Sequence, residues 1–422
     1  MIEMRYQQIS RGKLVPVWGT IVVLMLILVA GCQKESDNSD NQVKDSYLVN
    51  YTSIRHYPLE TIHTFLSALV GEYPEANSIL EHTQYGVQVY SINYQTHYQD
   101  SLITASGLVC LPMADEVFPV ISFQNGTNTA HENAPTKNPV DEYYILLEIM
   151  ASNGYIVLLP DYIGFGASES ILHPYYHRTS TNNAVIDMMH ALNEMIQKND
   201  ILPERSDSTY LMGYSQGGWA TLSVLDEIEN GGETGIDVVA ASCGAGAYDL
   251  MMMSTYIFGL ESYPSPLYLP YFIYSQQNIG ALQDPLDKYF KSPYAERIPQ
   301  LFDGSYSNDE VNSQLTDQIA DLLTGALIDN FQTGQEFSKL RELLIENSIN
   351  AWDTNIKLHL YHGTADQNVP NEQSAKLYDD FISAGANPEL VNYFELNGMD
   401  HGSGLLPWGI SSINWFNTLE NK

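Results

Sequence analysis

The pattern of apolar and polar positions predicts a series of strands along the chain. Residues 87–96 and 102–111 alternate apolar with polar positions and flank a polar turn, which is typical of an antiparallel hairpin. After the hairpin the apolar runs become short and unbroken, as in strands that are buried on both faces. These runs are residues 119–123, 155–159, 209–212, 236–241, 356–361 and 390–396.

Helical stretches lie between these runs. Gly154 follows the first helical stretch, residues 141–153, and is suited to end it, because glycine readily adopts the left-handed conformation common just after a helix. Alternation of strand and helix indicates right-handed crossovers and a mostly parallel sheet. Residues 46–84 are mixed in pattern and are expected to be helical in part. The other helical stretches are residues 141–153, 182–198, 217–230, 371–384 and one from about residue 405.

One segment, residues 248–350, interrupts this alternation. It has no obvious strand, and its helical patterns lie near residues 310–327 and 335–347. An insertion of this size is expected to form a cap over the carboxyl ends of the parallel strands, where open α/β sheets bind ligands. Its clusters of tyrosine and methionine either line an acyl pocket or form the cap's own core. The sequence thus predicts a core of residues 46–247 and 351–422.

Residues 1–31 have the layout of a secretory signal peptide. They end in Val29-Ala30-Gly31, and with Cys32 this sequence resembles a bacterial lipobox, in which the cysteine thiol receives a lipid. A transmembrane anchor is the alternative, but it normally needs about 20 apolar residues. We expect a lipoprotein of the cell envelope, anchored to the outer membrane by Cys32. Residues 32–45 then form a polar tether, which resembles the sorting signals of surface-exposed lipoproteins.

Charge and composition narrow the list of partners and cofactors. The 422 residues include 51 acidic and 18 basic residues, a formal net charge of −33. Because nothing offsets repulsion from a phosphate backbone, we expect no nucleic-acid partner. Cys110 and Cys243 lie in apolar runs and are expected to be buried free thiols. No spaced set of metal ligands and no phosphate-binding glycine loop is evident, so we expect neither a metal nor a cofactor.

The sequence Gly-Tyr-Ser-Gln-Gly-Gly at residues 213–218 follows a predicted strand and opens a predicted helix. Between a strand and a helix, Gly-x-Ser-x-Gly is typical of the sharp turn that presents a nucleophilic serine above a sheet. The alternative is a glycine-rich connection whose serine only caps the helix. We predict that Ser215 is a nucleophile.

A nucleophilic serine needs a base that a carboxylate orients. Asp366 lies in the loop after the strand at 356–361, and His401 lies in the loop after the strand at 390–396. Both loops leave the sheet at the edge where Ser215 is expected, and the order serine, acid, histidine is typical of such sheets. We therefore predict that Asp366 is the acid and His401 the base.

Other residues compete for these roles. Asp249 could serve as the acid if that role had moved by one strand. Asp400 adjoins His401, but neighbouring side chains point apart, so it is interpreted as a turn former. His362 is expected to shape the loop of the acid. Asp161 opens the segment Asp-Tyr-Ile-Gly-Phe-Gly, where it is expected to pin a glycine-shaped turn rather than to rim a pocket.

Two backbone amides are expected to bind the oxyanion. One belongs to Gln216, directly after the nucleophile. The other should come from the loop Gln124-Asn125-Gly126-Thr127, because glycine permits a close backbone approach there. Thr127 is the first choice for this donor and Gly126 the second.

With these motifs in order, the sequence resembles the α/β-hydrolase superfamily, and within it the secretory lipases that include fungal lipase A-like enzymes and bacterial lipoproteins. The resemblance covers roughly residue 85 to the carboxyl terminus and rests on residues 161–166, 213–218, 362–370 and 401–402. It implies an α/β-hydrolase fold with a helical cap after the sixth strand, a triad of Ser215, Asp366 and His401, and hydrolysis of small or lipid-like carboxylic esters. The family often begins its first oxyanion loop with His-Gly, where this chain has Asn125-Gly126.

Two other functions stay open at this stage. A serine peptidase of the prolyl-oligopeptidase type would use the same triad on the same sheet, although this chain lacks a long propeller-like amino-terminal region. A noncatalytic binding protein of the cell envelope could keep the fold without the reaction, because a fold does not fix a function.

Overall fold

A computed structural model describes residues 46–138, 142–199, 201 and 203–420. The predicted signal peptide of residues 1–31, the tether of residues 32–45 and Cys32 lie outside the described residues. Within the described ranges, no helix is long and apolar enough to cross a membrane.

Nine strands form one sheet. They are β1 (Leu48–Tyr57), β2 (Val87–Tyr98), β3 (Ser101–Pro112), β4 (Val117–Gln124), β5 (Ile156–Pro160), β6 (Glu204–Tyr214), β7 (Asp237–Gly244), β8 (Lys357–Gly363) and β9 (Val391–Leu396). Their order across the sheet is β1-β2-β3-β5-β4-β6-β7-β8-β9. The first three strands are antiparallel to their neighbours, and β4 to β9 run parallel to one another. The predicted hairpin and the six predicted strands are all present. The prediction that the last strand is buried on both faces is wrong, because β9 lies at the edge of the sheet and only Val391 in it is buried.

The first strand, β1, was not predicted. It occupies the start of a segment for which the sequence indicated only partial helix. Two register shifts against β2, after Leu48 and after Ser53, break the alternation of apolar and polar positions. Since that alternation is what marks a half-buried strand in a sequence, the irregular pairing conceals β1.

Fourteen helices lie along the described chain. They are α1 (Leu59–Glu72), α2 (Asn77–Glu81), α3 (Glu142–Ile149), α4 (Arg178–Asn199), α5 (Gln216–Asp226), α6 (Leu250–Phe258), α7 (Tyr268–Asn278), α8 (Tyr294–Leu301), α9 (Asn308–Gln314), α10 (Ile319–Leu322), α11 (Gly325–Asn330), α12 (Ser338–Glu346), α13 (Glu372–Ala384) and α14 (Leu405–Leu419). Gly154 ends the turn that extends α3, with φ at 80°, as its position predicted.

Two hydrophobic cores, one for each face of the sheet, hold these layers together. Helices α4, α5 and α13 contribute to one core, and α1, α2, α3 and α14 contribute to the other. Helices on both faces explain why β4, β5, β7 and the second half of β6 are almost wholly buried, as the unbroken apolar runs predicted. Cys110 and Cys243 are buried free thiols, as predicted.

Residues 248–350, all of which are described, contain the helices α6 to α12 and no strand of the sheet. This insertion follows β7, so it comes after the seventh strand rather than the sixth that the resemblance implied, because β1 precedes the predicted strands. Helices α6 to α8 were not predicted from their tyrosine-rich and methionine-rich sequence. The parallel strands β4, β6, β8 and β9 end at a common edge, and the loops that follow them carry the residues of interest.

Candidate active site

Ser215 occupies a strained turn between β6 and α5. Its backbone has φ at 59° and ψ at −124°, a conformation that residues other than glycine rarely adopt. Gly213 and Gly217 make the turn sterically possible, since a Cβ atom on Gly213 would lie 2.2 Å from the Gly217 carbonyl oxygen, and one on Gly217 would lie 2.0 Å from the Gln124 carbonyl oxygen. The Ser215 side chain does not cap α5. This geometry contradicts the alternative of a merely capping serine.

The structure brings Ser215, His401 and Asp366 together. His401 Nε2 lies 2.9 Å from Ser215 Oγ, and His401 Nδ1 lies 2.6 Å from Asp366 Oδ2. A carboxylate only accepts hydrogen bonds, so Nδ1 carries the proton and donates to Asp366. In the neutral ring Nε2 is then free to accept the serine proton. The Tyr214 hydroxyl donates to the His401 carbonyl at 2.9 Å and steadies the loop.

Asp366 is buried and remains ionised because its oxygens are fully hydrogen-bonded. Oδ1 accepts from the amides of Asn368 and Val369, both at 2.9 Å. Burial alone would raise the pKa of this carboxyl, but His362, His401 and the Val369 amide together hold it well below its ordinary value. The site therefore contains a permanent negative charge beside the imidazole of His401.

The competing residues have other partners. Asp249 caps α6 by accepting from the Met252 amide at 2.8 Å. Asp400 accepts from the amide and hydroxyl of Ser403, at 2.8 and 2.7 Å, which is the role of a turn former. His362 Nε2 donates a hydrogen bond to the Val369 carbonyl at 2.9 Å, so His362 shapes the loop of Asp366.

The loop after β4 lies against the nucleophile. A Cβ atom on Gly126 would contact the Tyr214 carbonyl oxygen at 3.5 Å and Ser215 Cβ at 3.8 Å. Thr127 is held on both sides, because its carbonyl accepts from Asn308 at 2.8 Å and its hydroxyl lies 2.8 Å from that of Tyr175. Gly126 and Thr127 are thus both placed beside Ser215, and the choice between them as oxyanion donor stays a prediction.

Gln216 is the first residue of α5, where backbone amides have no acceptor within the helix. Its amide therefore lies next to the nucleophile and at the positive end of the helix dipole. Together with the loop after β4, this position can supply two donors to an anion that develops at Ser215.

Two spaces reach Ser215 and Thr127. One is an apolar cavity of about 50 Å³ beneath the cap. The other is an open cleft of about 420 Å³, which also reaches His401 and has walls of mixed polarity. The apolar cavity is lined by Tyr175, Tyr176, Leu250, Met253, Ile257, Leu269, Phe272 and Leu344. The walls of the cleft include Asn125, Asn128, Asn133, Tyr144 and Asn308.

Several of these residues were not singled out from the sequence. Of the methionine and tyrosine clusters, Met253 and Tyr268 line the cavity whereas Tyr263 is buried in the hydrophobic core. That the cavity receives an acyl group stays a prediction. Tyr175 and Tyr176 precede α4 and had no motif to mark them. Within the described chain, no cluster of three or more histidine, cysteine, aspartate or glutamate side chains could hold a metal ion.

No protein-family model and no curated protein sequence matches this chain, so its similarity to known proteins is seen in three dimensions. A protein from Legionella pneumophila provisionally described as a hydrolase is 26% identical, with 89% of this chain and 99% of that chain covered and a TM-score of 0.78. The rice cell wall degrading esterase LipA from Xanthomonas oryzae is 22% identical, with 88% and 97% covered and a TM-score of 0.77.

Lipase A from Candida antarctica is more distant, with 16% identity, coverage of 87% of this chain and 82% of that chain, and a TM-score of 0.64 in its closed state. These likenesses show that the chain has the α/β-hydrolase fold and resembles lipase A-like proteins. They confirm the predicted fold class.

Proposed function

We propose, from an α/β-hydrolase fold with a hydrogen-bonded serine, histidine and aspartate at its ligand-binding edge, that this protein is a serine hydrolase that cleaves carboxylic esters. The observation that carries the proposal is the continuous path of contacts from Asp366 Oδ2 to His401 Nδ1, 2.6 Å, and from His401 Nε2 to Ser215 Oγ, 2.9 Å. Such an arrangement activates a hydroxyl that is otherwise a poor nucleophile at neutral pH.

In the first half of the reaction, Ser215 Oγ attacks the carbonyl carbon of the ester as its proton passes to His401 Nε2. The ionised Asp366 keeps the Nδ1 proton in place and stabilises the imidazolium that forms. The amide of Gln216, with that of Thr127 or Gly126, donates to the tetrahedral oxyanion. His401 then gives its proton to the departing alkoxide, which leaves an acyl group on Ser215.

In the second half, water replaces the alcohol. His401 Nε2 takes a proton from the water as its oxygen attacks the acyl-enzyme, and the same amides hold the second oxyanion. Return of the proton to Ser215 Oγ releases the carboxylic acid and restores the resting state. No cofactor is needed for either half.

The two spaces at Ser215 support an ester with unlike halves. The apolar cavity under the cap suits an aliphatic acyl group, because it buries hydrocarbon next to the attacked carbon. The open cleft beside His401 is more polar than the cavity and suits the alcohol, which must receive a proton and leave into water. Names of the similar structures, an esterase and a lipase, agree with this chemistry.

A fluorophosphonate probe and an ester series test the proposal directly. We expect the wild type to label at Ser215 and to hydrolyse nitrophenyl esters from acetate to palmitate, whereas Ser215→Ala should lose both properties. Ser403→Ala, which changes an exposed serine in the loop of His401, is a matched control that should still label. Faster cleavage of aminoacyl anilides than of esters would favour the peptidase alternative. Absence of labelling in a folded wild type would favour the noncatalytic one.

On sequence grounds alone, we also propose that Cys32 attaches the protein to the outer membrane through a lipid. Its place at the end of the Val29-Ala30-Gly31 sequence supports this assignment. An alkyne fatty acid should label the wild type and not Cys32→Ser, and the variant should leave the membrane fraction. Labelling of the variant at the wild-type level would overturn the assignment.

A further inference from the structure

The loop that follows β5, residues 161–173, contacts both elements that the proposed mechanism uses to bind the oxyanion. It begins with the Asp-Tyr-Ile-Gly-Phe-Gly sequence, and the triad makes no use of it. One of its side chains reaches the loop after β4, and another reaches the helix residue after the nucleophile. Through these two contacts, one loop can support both parts of the oxyanion site.

The first contact fixes the peptide group between Asn125 and Gly126. The Tyr162 hydroxyl donates to the Asn125 carbonyl at 3.2 Å, and the Asn125 side-chain amide donates to the Pro160 carbonyl at 2.6 Å. A trans peptide is planar, so the direction of its carbonyl also sets the direction of its N–H. Tyr162 therefore orients the Gly126 amide and, through it, the start of the Gly126-Thr127 segment.

The second contact fixes Gln216. His173 is 4% exposed, and its Nδ1 lies 2.7 Å from the Ile163 carbonyl, which can only accept, so Nδ1 carries a proton. Burial lowers the pKa of His173 to about 4, which keeps the ring neutral at pH 7 and leaves Nε2 as an acceptor. The Gln216 side-chain amide, 3.0 Å away, must therefore donate to Nε2.

The loop that carries these two side chains is itself tightly held. Tyr162 has φ at 71°, unusual for a bulky residue, and its ring stacks on that of His173 with centroids 5.8 Å apart. Gly164 has φ at 96° and passes so close to His173 that a Cβ atom would lie 2.4 Å from the His173 Cα. Asp161 accepts from the hydroxyls of Ser106 and Thr136, each at 2.6 Å.

We propose that Tyr162 and His173 are positioning residues that set the two backbone donors of the oxyanion site, Tyr162 through the Asn125 carbonyl and His173 through the Gln216 side chain. The inference rests on the proposed function of that site. Neither residue lines the cavity or the cleft at Ser215. Their contribution should appear in the transition state, where the oxyanion carries its charge, and not in substrate binding.

His173→Phe tests one arm, because it keeps a ring in the stack and removes the acceptor for Gln216. We expect kcat for a nitrophenyl ester to fall about tenfold or more, with KM within about twofold, since loss of a whole donor typically costs about 10²–10³. His359→Phe is the matched control. His359 also has its pKa lowered to about 4 and stacks on Trp415, outside the oxyanion site, so kcat should not change.

Tyr162→Phe tests the other arm and decides the matter if His173→Phe does not fold. Tyr94→Phe is its matched control, because Tyr94 is also buried and its hydroxyl also donates to a backbone carbonyl, that of Ala184 at 2.7 Å. Both variants lose one buried hydrogen bond and should lose similar stability. Only Tyr162→Phe should lower kcat, by about threefold to tenfold, as expected for a loosened donor.

Affinity for a trifluoromethyl ketone, which forms a serine-bound oxyanion, separates positioning from general damage. For Tyr162→Phe and His173→Phe, its inhibition constant should rise in proportion to the loss in kcat/KM. The inference is overturned if both variants keep kcat and this affinity within twofold of wild type, or if the two controls lose as much. A folded wild type that neither labels with fluorophosphonate nor cleaves esters would overturn the proposed function, and the inference with it.

Discussion

At the scale of single residues, Asp366 combines complete burial of its side chain with a lowered pKa. Desolvation opposes the charge, and the hydrogen bonds that it accepts more than offset desolvation. These bonds also fix where the carboxylate lies, so that Oδ2 faces His401 Nδ1. The charge and the orientation of one aspartate thus determine which nitrogen of His401 is available to Ser215.

Asp366→Asn keeps the size of the side chain and removes its charge. When the amide nitrogen faces Nδ1 it cannot accept a hydrogen bond, so His401 takes the wrong tautomer in part of the molecules. We expect kcat to fall by about 10³–10⁴. Steady-state kinetics on a nitrophenyl ester measures the loss. Asp249→Asn, which retains a residue able to cap α6, should stay within about threefold of wild type. Equal losses in the two variants would return Asp249 to consideration as the acid.

Site residues that closely follow the end of a strand can be predicted from the sequence. Ser215 and Asp366 lie within a few residues of the ends of β6 and β8, so buried runs and short motifs located them. His173 lies 43 positions from Gln216, and no local pattern indicates that contact. Its role depends on a loop that only the folded chain brings beside α5.

At the scale of elements, the strands that could be predicted are those whose pattern of apolar and polar residues reflects only how deeply they are buried. The strands β4 to β8 follow that rule, whereas β1 is irregular in register and was missed. Within the cap, the helical patterns predicted near residues 310–327 and 335–347 coincide with the helices from α9 to α12. The pattern at 310–327 did not show that α10 and α11 are separate helices of four and six residues, because such short helices draw their stability from tertiary packing. Helices α6 to α8 were missed.

Helix α4 contains a carboxyl whose ionisation opposes folding. Burial raises the pKa of Asp187 to about 6, above the ordinary value of about 4. Below pH 4 the carboxyl is protonated in both states and has no effect. As the pH rises from 4 to 6, the unfolded chain ionises first, and stability falls by at most about 3 kcal/mol.

Asp187→Asn should remove this pH dependence, because the amide imitates the protonated form. Urea unfolding at pH 8 should show the variant to be more stable than wild type, with the difference vanishing near pH 4. Asp379→Asn, which changes an exposed carboxylate of α13, should show no such trend. A variant that is equally stable or less stable at pH 8 would contradict the raised pKa.

Strand β1 is joined to α3 by a buried charge pair. Arg55 pairs with Glu148, which is fully buried and also accepts from the Tyr57 hydroxyl at 2.8 Å. Arg55→Met would leave Glu148 buried without its cation, and loss of one partner of such a pair costs about 3–5 kcal/mol.

We expect Arg55→Met to lower the free energy of unfolding by about 3 kcal/mol and the double variant Arg55→Met, Glu148→Leu to recover most of that loss. Urea titrations of the three proteins provide the comparison. Since β1 is an edge strand and the candidate site lies at the ends of other strands, kcat of the folded variants should match wild type. A double variant less stable than Arg55→Met would show that the pair itself stabilises β1.

At the scale of the whole molecule, one hydrophobic core extends from the sheet into the cap. Trp219 of α5 and Leu192 of α4 belong to the same cluster as Phe272 of α7 and Leu344 of α12. The cavity for the proposed acyl group lies inside this shared core, with walls from both parts. Substrate access and stability therefore depend on the same contacts.

A cap that shares its core with the sheet should not unfold separately. We expect residues 46–422 to show one calorimetric transition, with calorimetric and van't Hoff enthalpies in a ratio near one, although a chain of this size often unfolds in steps. Hydrogen exchange in increasing urea, followed on peptides from α5 and α7, should show both losing protection at the same concentration, because the two helices contribute to one hydrophobic core. Earlier loss of protection in α7 would show instead that the cap opens as a unit of its own, and the acyl cavity would then be formed only while the cap is closed.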